Sequence, residues 1–416
     1  MLNYSVVAIC RNEGEWIENW IKSVRKMLDP KVEIILVDTG SNDNTLEIAR
    51  KYGCQVHEVG EKFVHYVSEE EALAVNKTFK DDVLNAGQRI FNFRDARNHA
   101  DSFCKTEWAI SLDLRWNITK VEKNFLSNIP DDVSILNFTL RLKSAEFSTG
   151  RIYRVKRGKW RYAIHELFDA FVGQTKTTND FVCQKISTEA HSYLPHLTYE
   201  FFINGQNYSP DSPDYSRMLY YTAREIYYQG KKYQDVAKKL LEECVANKGN
   251  WFKERSQSAC YRAEYADDIN ERRHWYILAI ACNPVWREPY LKLADLAYKL
   301  TDWFGMLGYL NKAQEIKGQE GPLHVENESN YGAEFYRLKF LALVQVARTF
   351  RMVGSLQRAI EHVEEAIKIE DKLPNIEQIG HLGWIEMSRV YHDSNPKKAK
   401  IFYNKAVQQR PDLYTT

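Results

Sequence analysis

Residues 32–45 read Val-Glu-Ile-Ile-Leu-Val-Asp-Thr-Gly-Ser-Asn-Asp-Asn-Thr, an apolar run from Val32 to Val37 that stops abruptly at Asp38. Strands covered on both faces read as continuous apolar runs of this kind. A carboxylate at the C-terminal end of such a strand, followed by a turn of Gly, Ser, Asn and Asp, sits where open α/β sheets bind ligands. Asp43 or Asn44 supplies an N-cap for the helical pattern that starts at Leu46, with Glu47 close behind. The stretch predicts a nucleotide-binding crevice with Asp38 at its floor.

Working outward, Ser5 to Ile9 reads as an earlier buried strand that ends in Cys10-Arg11-Asn12-Glu13-Gly14. An amphipathic helix (Trp16, Ile17, Trp20, Ile21, Val24) follows, and Gln55-Val56-His57 begins a third strand after Gly53. Strand and helix alternating at this spacing predict a mainly parallel sheet with helices on both faces. Residues 61–92 break the rhythm: Ser68 to Glu71 is a capping box, and Val75, Phe79 and Val83 follow at helical spacing up to Gly87. They read as one inserted helix, a candidate lid or an inert decoration. Trp108 to Asp113 is a second strand running into a carboxylate. Arg151 to Arg161 then carries six cationic residues in eleven, followed by His165-Glu166 and His191.

Residues 204–214, with two prolines, read as a linker. Beyond them the pattern is helical, with small residues at offsets of five and seven (Gly354, Ala359, Ala366; a looser copy at Gly230 and Ala237). That grammar lets two helices of a hairpin pack closely, which is the tetratricopeptide pattern, and four or five helical pairs are expected.

The chain has 416 residues, a formal net charge of +1, 44% hydrophobic residues and 13% aromatic ones. This composition is that of a soluble globular protein with two to three domains and no global attraction to nucleic acid or anionic membrane. Seven cysteines without CxxC or zinc-type spacing argue for a reducing compartment. No segment approaches the roughly 20 apolar residues of a membrane span. A cytoplasmic location is expected.

Arg11-Asn12-Glu13, Asp38-Thr39-Gly40-Ser41-x-Asp43-x-Thr45, Phe93-x-x-Ala96-Arg97-Asn98, Glu107-Trp108 and the strand ending at Asp113 occur in that order. Together they resemble the family 2 inverting glycosyltransferases of the GT-A fold. The bacterial branch with a helical-repeat tail, which includes lipopolysaccharide-core glucosyltransferases and peptide S-glycosyltransferases, is the nearest in pattern. Trp160-x-x-x-x-His165-Glu166 is similar to that branch's later signature, and Pro284-x-x-Arg287-Glu288-Pro289 to its repeat region.

The resemblance implies a nucleotide-sugar donor, UDP-linked, from which a hexose or pentose is transferred with inversion. Cys10, Arg11, Asn12, Glu13, Asp38, Arg97 and Asp113 would form the donor site, Asp38 at the base or ribose and Arg97 at the base or diphosphate. These roles suit the chemistry, because carboxylates accept from N–H and hydroxyl groups and a guanidinium matches phosphate. Asp-x-Asp is the family's motif at residues 113–115, and its last carboxylate holds a divalent cation, Mn2+ or Mg2+. Here that position is Arg115. Three readings stay open: Arg115 supplies the positive charge itself; a metal survives on Asp113 with His165 or His191; or catalysis is lost. Glu166 is the candidate base that takes the acceptor's proton, with Asp113 as alternative.

Arg154, Arg157 and Arg161 of the cationic run would line a groove for an anionic acceptor (lipid phosphate, lipopolysaccharide, peptide, or a modified DNA base flipped from its stack). A GT-A domain over 1–203 and a helical-repeat domain over 215–416 are therefore expected, the repeats presenting the acceptor or a homodimer partner. The rival expectation is a non-catalytic repeat scaffold with a degenerate nucleotide-sugar-binding domain.

Overall fold

The computed structural model describes residues 3–142, 146–186, 193–316, 328–373 and 376–414. His191 lies outside them. Strand β1 (Tyr4–Cys10) is the axis of the first unit. It pairs in parallel with β2 (Ile34–Asp38), which pairs in parallel with β3 (Gln55–Glu58). Helices α1 (Ile17–Met27) and α2 (Thr45–Lys51) make the crossovers.

The unbroken apolar character of β1 and β2 follows from burial on both sides. Val6, Ala8, Ile34 and Leu36 share one core with Trp20 and Ile21 of α1 and with Ala49. Val7, Ile35 and Val37 point the other way, into a core closed by Ala100. That residue belongs to helix α4 (Phe93–Asp101).

The insertion is more than a helix. Two strands, β4 (Val64–Tyr66) and β5 (Arg89–Phe91), pair antiparallel around α3 (Glu69–Phe79). The capping box forms: Ser68 Oγ accepts from Glu71 N at 3.1 Å and Glu71 Oε2 from Ser68 N at 2.8 Å. The helix ends at Lys80, in left-handed conformation, and not at Gly87. Its far end is tied down by Lys232 and Tyr233, both 2.7 Å from Asp81 Oδ2.

Helix α4 (Phe93–Asp101) leads to β6 (Trp108–Ser111), which pairs in parallel with the other side of β1. Strands β7 (Trp116–Val121), β8 (Val133–Arg141), β9 (Glu146–Arg154) and β12 (Gln174–Lys185) complete one sheet in the order β3-β2-β1-β6-β9-β8-β12-β7. Strands β10 (Gly158–Arg161) and β11 (Leu167–Ala170) form a separate hairpin. Because β2 and β6 flank β1, the chain leaves the carboxyl ends of these strands in diverging directions, which opens a crevice there.

Helices α5 (Leu194–Phe202), α6 (Pro213–Tyr228) and α7 (Gln234–Ala246) belong to this first unit, Met1–Trp251. The boundary therefore falls at 251/252, later than the expected linker at 204–214. The physical reason is polar anchoring: Asp214 of α6 takes Arg161 at 2.6 Å and Arg217 donates to the His165 carbonyl at 3.0 Å.

The second unit, Phe252–Thr416, is helical throughout its described residues. Helices α8 (Phe252–Glu264) and α9 (Ile269–Cys282), α10 (Glu288–Lys299) and α11 (Trp303–Glu315), and α12 (Glu328–Met352) and α13 (Leu356–Lys368) pack as successive pairs. After the short α14 (Ile376–Ile379), α15 (His381–Tyr391) pairs with α16 (Pro396–Gln409), and α17 (Pro411–Tyr414) ends the described chain. The small residues act as their spacing suggests: Ala359, Ala366 and Ala406 are fully buried at helix contacts. No described helix is long and apolar enough to cross a membrane, and the seven cysteines are free thiols.

Gly158 starts β10 where β11 comes closest. A Cβ there would sit 2.4 Å from the Asp169 carbonyl oxygen and 2.5 Å from the Phe168 ring. Gly158→Ala should cost about 1–3 kcal/mol by overpacking. Urea unfolding of the two proteins measures it, and equal midpoints would show that the hairpin gives way freely.

Candidate active site

The two loops that begin the crevice are sewn together by the residues of the early motifs. Thr39 N donates to the Cys10 carbonyl at 2.9 Å, Asn12 N to Ser41 Oγ at 2.9 Å, Asn42 N to Asn12 Oδ1 at 2.9 Å and Glu13 N to Thr45 Oγ1 at 2.8 Å. Asn12 holds a left-handed φ of 53° to do so. Asp43 accepts from Gly14 N at 2.9 Å.

Asp38 ends β2, only 2% exposed and engaged with its own turn, and it lines neither the hollow nor the cleft described below. Its carboxylate accepts from Gly40 N at 3.1 Å, Ser41 N at 3.0 Å and the Ser41 hydroxyl. It shapes the wall, and the side chain is already committed. Burial, with Asp38 and Glu13 adding to it, raises the Cys10 thiol well above its ordinary value.

A hollow of about 400 Å³ beside these loops is lined by Cys10, Arg11, Glu13, Thr39, Phe93 and Tyr193, among others. It adjoins a larger cleft of about 680 Å³, with which it shares Ile9, Glu13, Phe93 and Tyr193.

The larger cleft is built around Arg97, 4% exposed on α4. Its Nε donates to Glu166 Oε1 at 2.8 Å, Nη1 to Ser111 Oγ at 3.0 Å and Nη2 to Asp113 Oδ1 at 2.8 Å. Burial opposes a charge so deep, and the carboxylates of Glu166 and Asp113 keep the guanidinium protonated. Arg151 reaches the same two oxygens, at 3.2 Å from Glu166 Oε1 and 3.5 Å from Asp113 Oδ1. Burial would raise the Asp113 carboxyl, but Arg151 and Arg97 hold it below its usual range. Its side chain is still 38% exposed, so it faces the cleft.

Arg115 enters from the other side, 3.3 Å from Glu13 Oε2, with Trp16 beneath it at 6.0 Å. Burial raises the Glu13 carboxyl although Arg115 pulls it down. Lys185 completes the cationic lining.

His165 also lines the cleft, with φ +53° and its ring stacked 4.2 Å from Tyr221. Burial, then Arg224 and Arg217, push its pKa down to about 3. The ring is therefore neutral. Its Nε2 is buried without a hydrogen-bond partner.

Of the expected metal ligands only Asp113 and His165 can be placed, since His191 lies outside the described residues. Among the described residues no three His, Cys, Asp or Glu side chains converge. Asp113 Oδ1 already accepts from two guanidiniums, and Arg115 and Lys185 face the same space. That donor chemistry repels a divalent cation and does not fit one.

The cationic run also disperses. Arg154 is 5% exposed, donates to the Val133 carbonyl at 2.9 Å and stacks on Trp108 at 4.5 Å, so it cannot line a groove. Arg157 is spent on the Asp131 carbonyl. Only Arg161 of the three reaches a cavity, paired with Asp169 at 2.7 Å and Asp214 at 2.6 Å. Arg151, Lys185, Tyr193 and Arg217 line the cleft unforeseen. Strand alternation carried the signal for Arg151. It lies an odd number of residues from Arg154, and opposite faces of β9 receive them.

Beneath both guanidiniums lies the Trp160 ring, 5.1 Å from Arg97 and 5.2 Å from Arg151. Asp101 fixes it, accepting from Trp160 Nε1 at 3.0 Å and from Tyr153 Oη at 2.7 Å. Burial pushes the Asp101 carboxyl up to about 7 against these bonds. A raised carboxyl binds its proton more tightly folded than unfolded, so its contribution is full at acid pH and is lost as pH rises through about 7. Between pH 5 and 8 the stability of Asp101→Asn should gain on that of the native chain by about 2 kcal/mol. Chemical denaturation across that range tests it, and parallel profiles would contradict it.

Residues 5–76 match the family described as Glycosyl transferase family 2. No curated protein matches the chain. Among solved structures, similarity extends to glucosyl-3-phosphoglycerate synthase from Mycobacterium tuberculosis in complex with Mn2+, UDP and glucosyl-3-phosphoglycerate, at 18% identity over 33% of this chain and TM-score 0.22. The match spans only 44% of that synthase. It extends also to S. aureus TarS 1–349 in complex with UDP (12% identity, 78% of this chain and 99% of that one, TM-score 0.32). A third is YrrB, a TPR protein with an unusual peptide-binding site (15%, 47% and 87%, TM-score 0.31). The first unit thus begins with a segment that matches a family 2 glycosyltransferase model, and the second unit is a run of successive helical pairs.

Proposed function

We propose that the first unit transfers a sugar, hexose or pentose, from a nucleoside diphosphate donor to an acceptor hydroxyl with inversion, without a divalent cation. UDP-linked donors are the class that the motif order implies. The observation that carries this reading is the charge of the cleft. Arg97, Arg115, Arg151, Lys185 and Arg217 face three carboxylates, Glu13, Asp113 and Glu166. Such a surplus suits a leaving diphosphate, and preorganised cations in a partly closed site stabilise it where the charge develops.

Arg115 occupies the sequence position of the family's metal ligand, and Lys185 stands in the same lining. The nucleoside would take the adjoining hollow, lined by Cys10, Arg11, Glu13 and Thr39.

Inversion is a single displacement. The acceptor oxygen bonds to the anomeric carbon as the carbon–oxygen bond to the β-phosphate breaks, and its electron pair leaves with the nucleoside diphosphate. The acceptor proton passes to Glu166, whose Oε1 is held by Arg97 and Arg151. Asp113, whose carboxyl Arg151 and Arg97 hold low, is the alternative base. A second reading, a non-catalytic sugar-nucleotide-binding scaffold, is favoured by the fact that both carboxylates are already ion-paired.

Hydrolysis of UDP-sugars by the full chain, with and without Mn2+, separates these readings. Turnover should persist in excess chelator and fall roughly 100-fold in Arg115→Ala, the scale of losing one preorganised donor. Turnover that needs Mn2+ and survives the substitution would reject the metal-free reading. Tight binding without any turnover would favour the scaffold.

A further inference from the structure

A second cavity, of about 620 Å³, lies against the cleft and shares Ile164, Arg217 and Tyr221 with it. The partition is the segment Tyr162–His165, whose first residue lines the cavity and whose last lines the cleft. Both ends are left-handed, at φ 64° and 53°. Such conformations cost roughly 1–3 kcal/mol each in a non-glycine residue and persist where the surroundings enforce them, often at ligand sites. Arg217 enforces this one from α6. Its guanidinium lies 4.7 Å from the ring centroids of both Tyr162 and Tyr221 while it donates to the His165 carbonyl. Glu166, the proposed base, is the next residue along the chain.

The lining of this cavity differs in kind from that of the cleft. Four cationic side chains, Arg94, Arg161 and Arg217 among them, are matched by four carboxylates, Asp169, Glu200 and Asp214 among them. A balanced lining gives no purchase to a polyanion, whose binding depends on uncompensated Lys and Arg. Asp169 and Asp214 each spend one oxygen on Arg161 and remain 40% and 30% exposed. Carboxylates and guanidiniums arranged in this way accept from and donate to adjacent hydroxyl groups. Aromatic faces complete the set: Tyr208 at 38% exposure, and Phe171, which stands 67% exposed at the rim on the turn between β11 and β12. Ring faces of this kind cover the C–H face of a sugar, an apolar contact that needs no charge.

We propose that this cavity is the acceptor subsite and that its occupant is a neutral, hydroxyl-rich carbohydrate, whose terminal hydroxyl reaches the donor past the Tyr162–His165 partition. The acceptor role rests on the transferase reading above, whereas the carbohydrate chemistry rests on the cavity alone. An anionic acceptor held by the cationic run is disfavoured by the same observations, since Arg154 is buried in the fold and Arg157 donates to the Asp131 carbonyl at the surface, away from this cavity.

Saturation-transfer NMR on the full chain tests this with neutral methyl glycosides of glucose, galactose and N-acetylglucosamine. Inorganic phosphate and a single-stranded decanucleotide serve as anionic probes, and UDP is titrated in parallel. At least one glycoside should bind. It should lose affinity roughly fivefold in Phe171→Ala, the scale of one aromatic contact, and again in Asp169→Asn, while UDP binding stays unchanged. Binding by the decanucleotide or phosphate but by no glycoside would overturn the proposal, as would a glycoside indifferent to both substitutions or binding by none of the probes. Glycoside binding through Phe171 with no UDP binding would sustain the carbohydrate site and reject the transferase reading.

Discussion

A single buried guanidinium organises the first unit. Arg97 is 4% exposed and spends its N–H groups on Ser111 and Asp113 at the end of β6 and on Glu166, more than fifty residues further along the chain. A charge at that depth is tolerated only when it is paired and hydrogen-bonded. Meeting the demand pulls the end of β6 and the β10–β11 connection onto one point, and Trp160 closes it from below. The two carboxylates that could act on a substrate are thereby held at the rim where β1 and β6 end. Arg151 repeats the bonds and makes the arrangement hard to break by one substitution alone.

The consequence for chemistry is electrostatic. On the proposed transferase reading, with Asp113 committed to arginines, Arg115 two residues on would take the place of a cation beside a leaving diphosphate. With Arg115 there and Lys185 nearby, the cleft already carries the charge that a cation would bring. The neighbouring cavity has no such surplus. Two compartments, one cationic and one balanced, share the thin wall at Tyr162–His165.

Much of the fold was legible because it obeys periodicity. Val32 to Val37 is apolar throughout since both faces of β2 are covered, and the alanines of the repeats mark close helix contacts. The order of motifs located Asp38, Arg97 and Asp113. Their use was harder to read: Asp38 and Asn12 resemble ligand contacts in a motif, yet both are hydrogen-bonded within the loops they shape. The cationic run looked like one surface. A 3-10 turn at Val155–Arg157 and strand alternation instead send Arg151 to the cleft, Arg154 to the interior and Arg161 to the second cavity. Lys185 and Arg217 come from β12 and α6, far along the chain, and no local pattern could join them to Asp113.

The central claim is that side-chain cations hold the diphosphate. A crystal of the full chain soaked with UDP and Mn2+, with anomalous data at the manganese edge, tests it most directly. The account predicts the diphosphate within hydrogen-bond reach of Arg115 and Lys185 and no anomalous peak between it and Asp113. A manganese ion bridging Asp113 and the phosphates, with Arg115 turned away, would contradict it.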